Sequence, residues 1–215
     1  TKILEGLYER NYILIDISLF EKDGALADVP VPSGKKPVAL CVEDLSYASA
    51  KEGGGTVSKL TVDEYGRLCS VTGSTVSYDN ESVLILNEFA KTHPDFVYHG
   101  ARGMSSLTGY DGIFGYRLTS GSQTEIDGAK KVTEALRAEG WTFGCHSYSY
   151  ADMSKASLDT VKKDTEKWFE EIGSIVGEPL VYVWPYGGSV RSGEIKDYLY
   201  DKGFRIFCGV GLAAY

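Results

Sequence analysis

Two mostly apolar segments of this sequence end in side chains that could do chemistry. Residues 37–42 run into the adjacent carboxylates Glu43 and Asp44, and residues 141–145 run into His146. Adjacent side chains at a strand end diverge, so one carboxylate could bind a metal ion while the other stays free to move a proton. Neutral imidazole beside carboxylates is also the donor set of hydrolytic zinc sites. The alternatives are a solvated acidic turn or helix cap and a structural histidine.

A third apolar segment, residues 180–184, is followed by the turn Pro185-Tyr186-Gly187. Such a turn could direct backbone N–H groups toward an oxyanion, or it could be an ordinary turn. Active sites gather at the carboxyl ends of strands in parallel α/β folds. The position of all three motifs after apolar segments therefore favours one shared site.

The elements that carry these motifs alternate between short apolar strands and longer amphipathic helices, which predicts an α/β fold around a mostly parallel sheet. Strands are predicted at residues 12–17, 38–42, 96–99, 141–145, 180–184 and 204–208. Helices are predicted at residues 84–91, 125–139, 158–176 and 194–202. The alternating residues 56–72 resemble a β-hairpin, which we interpret as an insertion after the first barrel strand. The glycine-rich residues 108–121 are predicted to form a long, functional or mobile loop.

Composition excludes several classes of protein. The net charge is −8 and the pI is about 5.0, and no run of Lys and Arg forms a basic stripe, so we expect no nucleic-acid partner. No apolar stretch reaches the roughly 18–20 residues of a membrane span. The four cysteines lack CxxC spacing, and we expect those in the predicted strands to be small buried side chains. The oligomeric state is left open.

The order and spacing of the three motifs resemble those of the polysaccharide deacetylase family, also called the NodB homology domain. The family motifs Thr-Phe-Asp-Asp-Gly, His-Thr/Ser-x-x-His and Arg-x-Pro-Tyr-Gly are matched in turn by residues 41–45 (CVEDL), 146–150 (HSYSY) and 183–187 (VWPYG). The resemblance implies a single domain over residues 1–215 with a distorted (β/α) barrel. Residues 1–36 would be an N-terminal extension packed on the barrel, and residues 37–215 a barrel truncated at its carboxyl end.

The resemblance also implies a role for each matched residue. Glu43 would be the catalytic base, and Asp44 and His146 would bind a divalent metal, zinc or else cobalt, nickel or manganese. The oxyanion would meet the turn Pro185-Tyr186-Gly187 through the backbone N–H of Tyr186. The implied activity is hydrolysis of acetyl groups from cell-wall or other extracellular polysaccharide by a secreted bacterial protein.

Several family positions are altered here. Glu43 replaces an aspartate, Val183 replaces the arginine that orients the base, and Tyr150 stands where the third metal ligand, a histidine, belongs. A neutral phenol is a poor zinc ligand, and His99 or Asp152 could substitute for it. The family's last histidine, a general acid, would lie beyond the end of the sequence. The open alternatives are an active metal-dependent deacetylase, an impaired member that binds glycan without cleaving it, and a hydrolase that uses only paired carboxylates.

Overall fold

The structure, a computed structural model, describes residues 1–51 and 53–210. Its strands in chain order are β1 (Tyr12–Leu14), β2 (Glu21–Lys22), β3 (Ala25–Leu26), β4 (Lys36–Val38), β5 (Cys41–Glu43), β6 (Lys59–Val62), β7 (Leu68–Thr72), β8 (Thr75–Ser77), β9 (Met104–Leu107), β10 (Thr142–Cys145), β11 (Val181–Val183) and β12 (Ile206–Cys208). Its α-helices are α1 (Lys2–Glu9), α2 (Ser82–Thr92), α3 (Gln123–Glu139), α4 (Leu158–Trp168), α5 (Ser174–Val176) and α6 (Glu194–Asp201). A π-helical turn, Phe169–Gly173, joins α4 to α5. Residues 211–215, at the end of the predicted domain, lie outside the described residues.

Five strands form one parallel sheet in the order β12-β11-β10-β9-β5. All its neighbouring strands are parallel, so their carboxyl ends lie at one edge of the sheet. The sheet curls into an open half-barrel. Burial, and then the charges of Cys41 and Glu43 on β5, raise the pKa of Cys208 on β12 to about 11, which places the two edge strands near each other. The predicted α/β fold with a parallel sheet is confirmed.

The main helices bury the stripes that the sequence pattern predicted. On α3, Ala129, Val132 and Leu136 are buried, and Gly140 ends the helix with a left-handed φ of 102°, which glycine adopts without a Cβ clash. On α4, the Ser157 side chain caps the first turn by accepting a hydrogen bond from the Thr160 N–H. Within residues 1–51 and 53–210, every helix is too short or too polar to cross a bilayer.

One predicted strand is wrong. In place of a strand at residues 96–99, Pro94–Phe96 forms a 3-10 turn and Val97 makes only an isolated bridge. The strand of the central sheet is instead β9, whose Ser105 and Ser106 are fully buried. Two adjacent serines hid this strand, because the pattern used to find buried strands looks for apolar residues.

The alternating residues 56–72 contribute to a three-stranded antiparallel sheet in the order β6-β7-β8. The Asp63 carboxylate organises the β6–β7 turn by accepting hydrogen bonds from Arg67 N–H, Arg67 Nε and the Tyr78 hydroxyl, each at 2.9 Å. Desolvation alone would raise the pKa of Asp63. These hydrogen bonds outweigh it and lower that pKa to about 2.

The amino-terminal residues join the same core as the half-barrel. Leu4 of α1 and Leu14 of β1 lie in the main hydrophobic cluster, and β1 pairs in parallel with β4. The four cysteines are free thiols, of which Cys69 and Cys145 are buried. Cys41 is exposed at an edge strand, so the expectation that it is buried is wrong.

Candidate functional site at the strand ends

The carboxyl ends of β5, β10 and β11 bring together five of the predicted site residues. We call this group, Glu43, Asp44, His146, Tyr150 and Tyr186, the mouth. Nε2 of His146 lies 3.9 Å from a carboxylate oxygen of Glu43. The ring of Tyr150 lies 5.2 Å from that of His146 and 4.9 Å from that of Tyr186, measured between centroids. Asp44 directly follows β5, and burial, then the charge of Asp44, raise the pKa of Tyr150.

His146 is held so that one ring nitrogen faces the mouth with its lone pair free. Its Nδ1 lies 2.9 Å from the carbonyl oxygen of Val183. Because a carbonyl oxygen only accepts, Nδ1 carries a proton, and in the neutral imidazole this leaves the Nε2 lone pair available. His146 is buried, and its Nε2 has no hydrogen-bond partner in the described part of the chain. Metal-binding histidines are oriented by just this kind of backbone contact, so the imidazole is arranged as a ligand.

A buried carboxylate, Asp164 on α4, fixes the loop that carries His146. It accepts hydrogen bonds from the backbone N–H groups of Tyr148, at 2.7 Å, and Ser149, at 2.9 Å, and from the Ser149 hydroxyl. Sequence reasoning missed Asp164. The signal was an acidic residue on the apolar stripe of α4, beside Val161 and Trp168.

The motif residues also carry unusual backbone geometry. Asp44, Ser147, Tyr150 and Tyr186 have φ between 55° and 58°, in the left-handed region that non-glycine residues rarely adopt. Each such residue costs on the order of 1–3 kcal/mol and persists only where the surrounding structure imposes it. The backbone at the mouth is therefore held in a specific geometry.

The predicted oxyanion turn has an open donor. Gly187 N–H donates to Trp184 and Gly188 N–H donates to Pro185, both within the turn. The Tyr186 N–H has no backbone acceptor among the described residues. Its ring is 68% exposed, so the turn presents both a hydrogen-bond donor and an aromatic face at the mouth.

A second exposed tyrosine, Tyr110, completes an aromatic rim of Tyr110, Tyr150 and Tyr186. Tyr110 is 48% exposed, and burial, then the charges of Asp44 and Asp111, raise the pKa of its phenol. The sequence predicted that the loop of residues 108–121 is functional or mobile, but it did not single out Tyr110.

The two proposed substitute ligands lie elsewhere or are occupied. His99 lies before β9, three positions ahead of Arg102. The Arg102 N–H donates to the Gly140 carbonyl, just before β10 begins. This is the amino end of the sheet, so the structure does not bring His99 to the mouth. Asp152 lies beside the Gly188 turn, where its carboxylate accepts from Ser154 and pairs with Lys155 at 2.8 Å.

The mouth does not fit the three-ligand metal site that the resemblance implies. Across residues 1–51 and 53–210, no three His, Cys, Asp or Glu side chains form a group that could hold a metal ion. The resemblance would give the place of the third ligand to Tyr150, and a neutral phenol is a poor zinc ligand. Of the predicted site residues, His146 lies 3.9 Å from Glu43, and Asp44 follows at the end of β5 without forming a three-ligand group with them among the described residues.

Comparison with known proteins shows which proteins this chain is similar to. The family model described as polysaccharide deacetylase matches residues 116–207. A search of curated proteins gives no match. Among solved structures, the deacetylase PplD of Streptococcus pyogenes, determined in complex with acetate, is 13% identical with a TM-score of 0.52, over 94% of this chain and 67% of that one.

Two further structures match less of the chain. The chitin deacetylase of the fungal pathogen Colletotrichum lindemuthianum is 18% identical with a TM-score of 0.41, over 58% of this chain and 48% of that one. A pseudoenzyme of the CE4 family from Bacillus anthracis is 19% identical with a TM-score of 0.41, over 62% of this chain and 40% of that one. The chain spans about half the length of several solved deacetylases that it matches. The resemblance predicted from the motifs is confirmed: in sequence over residues 116–207 and in fold, this chain is similar to the polysaccharide deacetylases of the NodB type.

Proposed function

We propose that this chain binds acetylated polysaccharide at the mouth and that its hydrolytic centre is incomplete, so that acetyl groups are removed slowly or not at all. The observation that carries the proposal is Tyr150 in the position of the third ligand, beside a His146 whose Nε2 is free. The backbone of the site is held in a specific geometry, whereas its described side chains form no group of three metal ligands. An ordered site without a full ligand set favours binding over turnover.

The chemistry of the rim supports a sugar as the ligand. Tyrosine rings offer flat apolar faces that pack against the C–H faces of sugar rings, and Tyr110 and Tyr186 are both exposed. The carboxylates of Glu43 and Asp44 accept hydrogen bonds from hydroxyl or amide groups. As part of the proposal, the ligand is an acetylated cell-wall or other extracellular glycan, and the protein acts outside a bacterial cell.

The second candidate is hydrolysis of the acetyl group itself, favoured by the 3.9 Å contact between His146 and Glu43. Glu43 would accept a proton from the attacking water, and the Tyr186 N–H would donate to the oxyanion. Of the zinc, cobalt, nickel or manganese centre that the resemblance implies, the mouth supplies only His146 and Asp44 as ligands.

One set of variants separates the two candidates. We expect the natural chain to bind N-acetylglucosamine oligomers in calorimetry, to lack stoichiometric zinc after zinc loading and dialysis, and to release no more acetate than Glu43→Gln. Tyr150→His supplies a third ligand, so we expect it to retain one zinc per chain. Tyr200→His, on α6 outside the mouth, is the matched control and is expected to retain none.

The opposite results decide against the proposal. If the natural chain retains one zinc that His146→Ala loses, and releases acetate in a Glu43-dependent manner, the hydrolytic candidate is correct. If the oligomers do not bind, and the Tyr186→Ala variant behaves like the natural chain, the mouth is not a glycan site.

A further inference from the structure

A cavity of about 550 Å³ lies between β7, α2 and α3. We propose that this cavity binds a neutral mono- or disaccharide, at a site separate from the mouth. We call it the lateral cavity, and define it by Arg67, Tyr78, Asn87, Lys91 and Glu139, which line it. The inference does not rest on the proposed function of the mouth.

The lateral cavity lies at the other end of the parallel sheet. Asn87 lines the cavity on its buried side, and its Oδ1 accepts a hydrogen bond from Nε1 of Trp141 at 2.8 Å. Trp141 immediately precedes β10, whereas His146 follows the carboxyl end of β10. A ligand in the lateral cavity would therefore be separated from the mouth by the length of the strand.

Asn87 supplies a donor that faces the cavity from a mostly buried residue. The residue is 4% exposed, and the bond from Trp141 to Oδ1 fixes which way its amide faces. Nδ2 makes no hydrogen bond within the described part of the chain and keeps some solvent access, so it faces the cavity and not the core. A hydroxyl or carbonyl oxygen of a ligand would replace water as its acceptor.

The opposite wall is held rigid before any ligand arrives. The Arg67 guanidinium donates to Asp63 at 2.9 Å and lies 4.6 Å from the centroid of the Tyr78 ring. Tyr65, which is 76% exposed, lies 5.6 Å from the same guanidinium but does not line the cavity. A pocket formed in advance loses little side-chain entropy on binding, and the Tyr78 ring in its lining adds an aromatic surface that suits a sugar.

The charges of the lining favour a neutral ligand. Arg67 and Lys91 are balanced by Glu88 and Glu139, and Lys91 pairs with Glu88 at 2.7 Å. A lining without net charge gives no electrostatic preference for an anion or a cation. The remaining lining includes small apolar side chains such as Ala138, and pockets of roughly 300–1,000 Å³ with few polar groups are typical of small-molecule sites. Mixed polar and apolar walls of this size match a sugar.

The experiment follows the side-chain amide of Asn87 by ¹⁵N-resolved NMR, with its signal assigned from Asn87→Asp. We expect millimolar N,N′-diacetylchitobiose to shift this signal saturably, and Ala138→Trp, which fills the lateral cavity from an exposed helix position, to weaken that binding by at least about tenfold. Glu134→Trp is the matched control, because Glu134 is exposed on the same helix and does not line the cavity. It should bind as the natural chain does.

Three outcomes overturn the inference. The Asn87 signal stays in place with both the disaccharide and N-acetylglucosamine, or Ala138→Trp leaves the shift unchanged, or inorganic phosphate shifts the signal while the sugars do not. Resonances of the mouth report its own binding separately, so failure at one site is distinguishable from failure at the other. If Asn87→Asp does not fold, the Asn87 signal is assigned by triple-resonance NMR of the natural chain, and Ala138→Trp with its control decides the result.

Discussion

The buried carboxylate of Asp164 gives the sharpest test of how this fold holds its site. Asp164 is 8% exposed and accepts two backbone N–H groups and one hydroxyl from the loop that follows His146. In Asp164→Asn, one oxygen can still accept from Tyr148, but the new NH₂ group faces the Ser149 N–H, so that two donors oppose each other. The variant thus loses a charge-assisted bond and leaves a donor unpaired.

The expected cost follows from those contacts. A hydrogen bond to a charged group contributes about 1.5–3 kcal/mol, and an unpaired buried N–H costs about 1–3 kcal/mol. Bonds within one network do not add fully, so we expect Asp164→Asn to lower the free energy of unfolding by about 2–4 kcal/mol. The chain should still fold, since domains of this size commonly have unfolding free energies of about 5–15 kcal/mol.

Urea unfolding monitored by circular dichroism and tryptophan fluorescence measures this loss. Glu166→Gln is the matched control: it neutralises a carboxylate on the same helix whose side chain is 60% exposed and lies 3.8 Å from Lys202. Because exposed ion pairs contribute about 0–1 kcal/mol, we expect its free energy of unfolding to change by less than about 0.5 kcal/mol. Hydrogen exchange should accelerate at Tyr148 and Ser149 in Asp164→Asn only. Equal unfolding midpoints for the two variants, or unchanged exchange in that loop, would refute the role of Asp164.

Three other substitutions test separate features by the same unfolding measurement. Ionised Asp63 stabilises the fold fully above pH 3.8, and this contribution is lost as the pH falls through about 2. In Asp63→Asn, the free energy of unfolding should therefore fall less between these pH values than in the natural chain. An equal fall in both proteins contradicts the assignment. Trp168→Phe removes the indole N–H that donates to the Leu107 carbonyl at 2.7 Å, and we expect the free energy of unfolding to fall by about 1–2 kcal/mol. An unchanged free energy of unfolding would show that this hydrogen bond does not stabilise the fold. Gly128→Ala should destabilise by about 1–3 kcal/mol because the new Cβ would lie 2.1 Å from the Tyr116 ring, although helix propensity alone predicts a gain.

The sequence predicted what depends on local pattern. The stripes of α3 and α4, the cap at Gly140 and the apolar strands β10 and β11 follow from side-chain period and glycine placement, and the structure confirms them. The three motifs were identifiable because each stands directly after its own strand. Parallel order then brings the strand ends to one edge.

Other features escaped local pattern because their partners are distant in the chain. β9 was missed since its buried serines are polar, and their burial is decided by strands on either side. Asp164 lies 16 positions from Tyr148, and Asn87 lies 54 positions from Trp141, so neither contact has a sequence signature. His99 looked like a strand-end histidine only because the strand itself had been placed too early.

The sequence by itself determined the class of fold and the family resemblance, since residue identity and order are sufficient for these, and it led to the prediction that Tyr150 stands in a ligand position. Only the tertiary structure decided that Glu43 and His146 face each other at 3.9 Å, and that no third side chain among the described residues completes a metal site with them. The physical reason is that ligand geometry depends on where separate strands end in space, to within about an ångström. Such distances are set by packing across the whole core, which no single segment of the chain encodes.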